Sequence, residues 1–275
     1  MTSLMLKLLT IIALSSVSLF ANSENDAKVV SFLQKAIATN ENYTFDKVVI
    51  LKKEEMKEPL GWMVYFVRID LNLTKQAGKK VSVNDVIFTN GKILSKDFVD
   101  LSSGRSLKNN FSLDIDATAY NKEHLLAGKL NAPHKLVVFS DPLCPFCMDF
   151  VPEVIADVEK NPETFALFYY HFPLNIHVAA PTLVKAMILA EEKGDKEIVK
   201  KVYQEVLDIK ESDEKVILDI FNATFKTSFT VAQINQPHIL KKLADDEALA
   251  HNLMVNGTPT IYIDGKKDDS KKWKI

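Results

Sequence analysis

The chain has two cysteines, and they stand two residues apart in Leu143-Cys144-Pro145-Phe146-Cys147. A dithiol at that spacing can close into a disulfide and reopen, which is two-electron exchange chemistry. The attacking species in such exchange is the thiolate, so one thiol needs a lowered pKa and must stay accessible. The flanking pattern supplies both. The apolar run Leu136-Val137-Val138-Phe139, within Lys135 to Ser140, predicts a central strand buried on both faces. Asp141-Pro142-Leu143 then turns into a helical stretch running to about Lys160. Cys144 falls in the first turn of that helix, where unpaired N–H groups and the positive end of the macrodipole favour a negative sulfur. Pro145 sits where a missing N–H costs nothing and its fixed φ suits helix entry. Cys144 is thus the expected exposed nucleophile, and Cys147, one turn inward, the more buried partner that resolves a mixed disulfide. The intervening Pro145 and Phe146 are the expected tuning residues.

Two other readings of the pair compete. A disulfide closing so short a loop constrains the unfolded chain little, so a structural staple is poorly placed here. Zinc needs about four ligands, usually with a second pair at characteristic spacing. The six histidines are scattered at 124, 134, 171, 177, 238 and 251, and no second cysteine pair exists. No metal is therefore expected, and no cofactor beyond the redox-active Cys144–Cys147 disulfide itself.

The elements around the pair organise the 275 residues as follows. Residues 1–21 carry one basic residue, an uncharged apolar run from Leu8 to Phe20 and a small Ala21, the layout of a signal peptide cleaved after Ala21. An uncleaved anchor is the alternative, although the run is shorter than the ~20 residues that span a bilayer. Residues 22–112 read as a smaller α+β domain. Asp26 to Ala38 is an amphipathic helix with Val29, Val30, Leu33 and Ile37 at helical spacing. Strands follow at Phe45–Leu51, Trp62–Leu73, Val81–Phe88 and Ile93–Val99, the last two joined through Asn90-Gly91, a strong hairpin signal. Residues 113–132 are expected to form a linker helix, capped by Asp116, covering Ala117 to Leu130 and stopped at Asn131-Ala132-Pro133.

Residues 133–275 form an α/β domain: the strand before Cys144, its helix, a second strand at Phe165–Phe172, a helical insertion around 175–253, and a strand at Thr260–Ile263. The Lys-rich tail Lys266 to Lys274 is expected to be a solvated end. With Lys+Arg 34 against Asp+Glu 36, the chain lacks the basic footprint of a nucleic-acid binder, and none is expected as partner.

Phe139-Ser140-Asp141-Pro142-Leu143-Cys144-Pro145-Phe146-Cys147 resembles the active-site segment of the thioredoxin-fold Dsb proteins, of DsbA, DsbC and DsbG type. Asp245 to Gly265 resembles the helix, cis-proline loop and strand of the same superfamily. Pro152 matches the proline that kinks the active-site helix, and His171-Phe172-Pro173-Leu174 through Pro181 resembles the DsbA subgroup. The resemblance covers roughly residues 133 to 265. It implies a thioredoxin-like domain with a helical insertion, and a cis Thr258–Pro259 bond beside the cysteines. Thr258 and Pro259 are then substrate-binding, the backbone of Thr258 pairing with an extended client and its side chain tuning the cysteine. Many thioredoxins carry a buried acid six residues before the first cysteine; Val138 stands there, so that proton route is expected to be absent. Asp141 is a weaker proton-transfer candidate that an Asp-Pro turn also explains. His171 and His177 read as structural.

The activity so implied is a periplasmic protein thiol–disulfide oxidoreductase, exported through its signal peptide, that forms or reshuffles disulfides in exported proteins and leans to oxidase. The expected partners are unfolded or misfolded exported proteins with cysteines, a membrane redox protein that recycles the dithiol, and a second copy of the chain paired through residues 22–112. A reductase, for instance in cytochrome maturation, and a dimeric holdase chaperone are the alternatives.

Overall fold

The computed structural model describes residues 24–75, 78–205, 207 and 209–268. The expected signal peptide lies outside them, as does the end of the Lys-rich tail. Among the described residues, no helix is long and apolar enough to cross a membrane. The chain divides into two compact units, Met1–Phe111 and Ser112–Ile275.

In the first unit a helix over residues 24–38 (α1) precedes an antiparallel sheet of β1 (Tyr43–Glu55), β2 (Met63–Leu73), β3 (Lys80–Thr89) and β4 (Leu94–Ser95), in that spatial order. The alternation read from the sequence is what the sheet uses. Tyr65, Val67, Ile69 and Leu71 of β2 point to one face and pack with Val29 and Leu33 of α1. The strand expected over Ile93–Val99 shrinks to Leu94–Ser95. The cause is local: Asp97 accepts from the Phe98 N–H and from the Ser106 hydroxyl, and the Ser95 hydroxyl donates to the Asp97 carbonyl. Such side-chain bonds offer the backbone an alternative to the ladder.

The second unit is built on a five-stranded sheet in the order β5-β7-β6-β8-β9, with β5 Leu125–Gly128, β6 His134–Ser140, β7 Phe165–His171, β8 Thr260–Ile263 and β9 Lys266–Lys267. β6 and β7 pair in parallel, and the other neighbours pair antiparallel. Among the described residues six α-helices complete it: α2 (Pro145–Lys160), α3 (Ala180–Glu192), α4 (Ile198–Gln204), α5 (Glu214–Phe225), α6 (Val231–Ile234) and α7 (Pro237–Asn252). The continuous apolar run of β6 has its predicted explanation. Leu136 and Val138 face one core, formed with α2 to α5, whereas Val137 and Phe139 face another, closed by Ala250 of α7 and by Ile115 and Ala119.

Two expectations need correction. The linker helix at 113–132 does not form. Asp116 caps a single 3-10 turn at Ala117–Ala119, and Asn121 caps another at Lys122–His124, accepting from the Glu123 and His124 N–H groups. Two successive caps break the segment into single turns, and Leu125–Gly128 then pairs with β7 as an edge strand. Leu125 packs on one side of the sheet and its neighbour Leu126 on the other, the alternation of a strand, and a register irregularity between Leu125 and Ala127 leaves Ala127 on the side of Leu126. The Lys-rich tail likewise does not start as a free end: Lys266, its side chain still exposed, and Lys267 pair with Ile263 and Tyr262 as β9, and Lys266 forms an ion pair with Asp114.

Gly128 closes the edge strand in a left-handed conformation (φ +78°), and a Cβ there would meet the Phe165 carbonyl oxygen at 1.9 Å. Gly128→Ala combines backbone strain with a clash against main chain that cannot swing aside. It should destabilise the unit by at least about 2 kcal/mol, measured by chemical denaturation.

Candidate active site

Cys144 is the N-cap of α2. Its φ and ψ of −76° and 119° are extended, and Pro145 follows in the first helical turn. Its carbonyl accepts from the Cys147 N–H at 2.9 Å and from the Met148 N–H at 3.1 Å, so the CxxC itself begins the helix. The two cysteines are free thiols, and the exposure expected of Cys144 is corrected: it is 4% exposed and Cys147 not at all, because Cys144 packs in the core cluster with its sulfur against the Thr258 carbonyl. Their environments differ in kind. The Cys147 S–H, donating to the Cys144 sulfur, is the largest influence on Cys144 and lowers its pKa. Burial opposes it, and the Thr258 hydroxyl and the N–H groups of Cys147 and Phe146 reinforce it. The net result is a pKa of about 5 against the ordinary 9.0. Burial, followed by that same bond seen from the donor side, pushes Cys147 well above the thiol range.

Thr258 and Pro259 stand beside the nucleophile. Thr258–Pro259 is a cis peptide, and the Thr258 carbonyl accepts from the Cys144 S–H at 3.3 Å. The Thr258 hydroxyl is buried and has no hydrogen-bond partner in the dithiol state. It reaches both sulfurs and can turn to donate to a thiolate. Phe146 is 76% exposed and turns its ring outward beside the nucleophile. Pro152 lies inside α2, as the resemblance implies. Next to the cysteines, Leu143, Ile176, Val178, Leu207 and Ile209 line a cavity of about 280 Å3, and Ile176 and Val178 are exposed.

The bonding pattern around Asp141 is dense. This fully buried carboxylate accepts from the N–H groups of Leu143 and Leu174, both at 2.7 Å, and contacts His177 Nδ1 at 2.8 Å. It ties the turn before Cys144 to the segment after β7. The sequence reading left Asp141 open between proton transfer and turn formation, and its bonds are those of a turn that also anchors a second loop. His177 is accordingly the partner of Asp141. His171 is buried at the end of β7, its N–H held by Asp246 at 3.0 Å.

One set of residues around Cys147 escaped the sequence reading. Ser140, Tyr203 and Tyr169 join through their hydroxyls, Ser140 to Tyr203 at 2.7 Å and Tyr203 to Tyr169 at 2.8 Å. The only sequence signal was tyrosine and histidine at the end of an otherwise apolar strand; Tyr203 lies sixty-three positions from Ser140 and carried no signal at all.

Four measurements follow from this geometry. Alkylation of Cys144 should show its inflection near pH 5, where free cysteine would give about 8.5. Because the folded value lies below the unfolded one, the thiolate stabilises the folded dithiol form fully above about pH 9 and loses that contribution as pH falls through 5. The melting temperature of the reduced protein should therefore fall relative to the oxidised one as pH drops from about 9 to about 5. Thr258→Val keeps the shape and deletes the hydroxyl, and should raise the Cys144 pKa by about one unit, the value of one hydrogen bond to a charge. Asp141→Ala strands two buried N–H groups, so a loss of about 2 kcal/mol or more is expected in thermal or denaturant unfolding.

The family model described as Thioredoxin matches residues 120–274, more than half of the chain. Comparison with curated proteins returns no match. Among solved structures, a thioredoxin-like oxidoreductase from Silicibacter pomeroyi DSS-3 shares 21% identity over 54% of this chain and 87% of its own, with a TM-score of 0.42. Proteus mirabilis ScsC in a transitional conformation shares 22% over 55% and 68%, at a TM-score of 0.44. Oxidised BdbD from Bacillus subtilis shares 18% over 57% and 88%, at 0.43. The strand, CxxC, helix and cis-proline arrangement and the match across residues 120–274 lead to one statement: the chain belongs to the thioredoxin family.

Proposed function

We propose that this chain is a periplasmic thiol–disulfide oxidoreductase that forms or reshuffles disulfides in exported proteins, with a bias toward oxidation. The observation that carries the reading is the inequality of the two sulfurs, Cys144 held near pKa 5 at a helix N-terminus and Cys147 buried and protonated beside it. Lowering the pKa of the nucleophile stabilises the reduced form at neutral pH, which makes the disulfide a better oxidant.

In the oxidising direction a client thiolate attacks Cys144 of the Cys144–Cys147 disulfide. The bond between the two protein sulfurs breaks, and Cys147 leaves and takes up a proton. A second client thiolate then attacks the client sulfur of the mixed disulfide, and Cys144 leaves as the stabilised anion. Two electrons pass to the protein, and a membrane redox protein would remove them. Reshuffling starts from the dithiol form instead: the Cys144 thiolate attacks a client disulfide and releases one client thiolate, and another thiolate of the same client then attacks the client sulfur of the mixed disulfide and releases Cys144, so no net electrons pass. The Thr258 carbonyl, 3.3 Å from the Cys144 sulfur, would pair with an extended client backbone, and that proximity supports the reading. The exposed Phe146, Ile176 and Val178 offer apolar contact to unfolded chains.

The first unit is the proposed dimer contact. β1 runs along an edge of its sheet for thirteen residues, and a long edge strand is a template for pairing with another chain.

Equilibration with glutathione should place the potential of the pair above about −200 mV, among the isomerase and oxidase values; a value near −270 mV would sink the reading in favour of a reductase. Cys144→Ala should abolish oxidation of a reduced test protein, measured by loss of free thiols.

A further inference from the structure

Resolution of a mixed disulfide requires the Cys147 proton to leave a side chain with no exposed surface. β6 offers no carboxylate for it: Leu136 and Val138 are the residues of that strand that face the same core. Asp141, the buried acid beside the motif, has its oxygens committed to the Leu143 and Leu174 N–H groups and to His177. Ser140 is close enough to Cys147 for its hydroxyl to act on the thiol, drawing its pKa down against the effect of burial. From Ser140 the chain of hydroxyls runs 2.7 Å to Tyr203 on α4 and 2.8 Å on to Tyr169 on β7.

The far end of this chain is polar. Tyr169 and His171 are two apart on β7 and share a face, with their rings 4.9 Å apart edge to face. Both ring nitrogens of His171 are buried without a hydrogen-bond partner among the described residues, and Nε2 stands 3.9 Å from Glu191 Oε2. Tyr169, His171 and Glu191 line a cavity of about 310 Å3 whose rim carries the exposed Lys122 and Lys196, so it opens at the surface.

We propose that Ser140, Tyr203 and Tyr169 form a hydroxyl relay that carries the proton of Cys147 to and from this cavity. The relay rests on the thiol–disulfide reading above. In the resolving step the Cys147–Cys144 sulfur bond forms and the Cys144–client bond breaks, and the client leaves as a thiolate that is protonated by solvent. The Cys147 proton passes to Ser140 as Ser140 donates to Tyr203, Tyr203 to Tyr169, and Tyr169 to the cavity, where the His171–Glu191 pair faces it. The reverse step runs the same transfers backward, so the relay serves either direction of electron flow. Burial pushes both tyrosines well above the ordinary value, so each hydroxyl donates as it accepts and no tyrosinate is formed.

The test uses the full chain with an aromatic disulfide that releases the coloured thionitrobenzoate anion. One equivalent is released when Cys144 captures the probe and a second when Cys147 resolves the mixed disulfide, and stopped-flow absorbance separates the phases. Tyr203→Phe and Tyr169→Phe each remove one hydroxyl and keep the ring, and circular dichroism confirms folding. Both should slow the second phase at neutral pH by at least about tenfold, toward the range of lost general acid–base catalysis, and move its pH dependence upward. The first phase should keep its rate and its inflection near pH 5. A second phase of normal rate in either folded variant would overturn the relay. Wild-type protein that captures no probe would overturn the exchange reading itself, and the relay with it.

Discussion

The organising interaction is the hydrogen bond between two sulfurs. A thiol and a thiolate one helical turn apart can share one proton, and everything nearby decides which sulfur keeps it. Cys144 sits at the N-terminus of α2, where the N–H groups of Phe146 and Cys147 and the Thr258 hydroxyl favour an anion. Cys147 is enclosed by core side chains, and burial disfavours its charged form. The proton therefore stays on Cys147, and the S–H it keeps is the strongest influence lowering the pKa of its neighbour. Neither sulfur has its character alone.

The fold can be understood as the apparatus that keeps those two environments distinct. β6 delivers the chain to Cys144 from the middle of the sheet, flanked by β7 and β8, with both faces covered. Asp141 fixes the turn and binds it to the loop at Leu174, so the nucleophile does not drift relative to the segment after β7. β8 places Thr258 across from the sulfur by pairing with β6 from Leu136 to Phe139. The helices α3 to α5 close the core over Cys147. A loosened α3 or α4 would admit water to the buried sulfur and lower its pKa, and the contrast that drives exchange would weaken.

Much of this was legible in the sequence, because the signals were local. The apolar run, the Asp-Pro turn, the CxxC with proline at its second position and the Thr-Pro before a strand each lie within a few residues, and each appeared where expected. What stayed hidden was non-local. The segment from Ala117 to Gly128 has helix-forming composition, yet Asp116 and Asn121 cap it twice and β7 recruits its end as an edge strand. Tertiary pairing outweighed local propensity there. The hydroxyl chain was hidden for the same reason, since Ser140, Tyr169 and Tyr203 come from three elements and meet only in the packed core.

That chain also accounts for why so much polarity is buried at the end of an apolar strand. Burying a hydroxyl without a partner costs about 1 to 3 kcal/mol, and a phenylalanine would fill the same space at Tyr169 or Tyr203 without that cost. Linking the hydroxyls removes the penalty but does not by itself explain their presence. Their alignment between a thiol that must gain and lose a proton and a cavity that opens at the surface does. A sulfur kept protonated by burial is useful in exchange only when its proton can still move, and the tyrosines reconcile a dry core with a mobile proton.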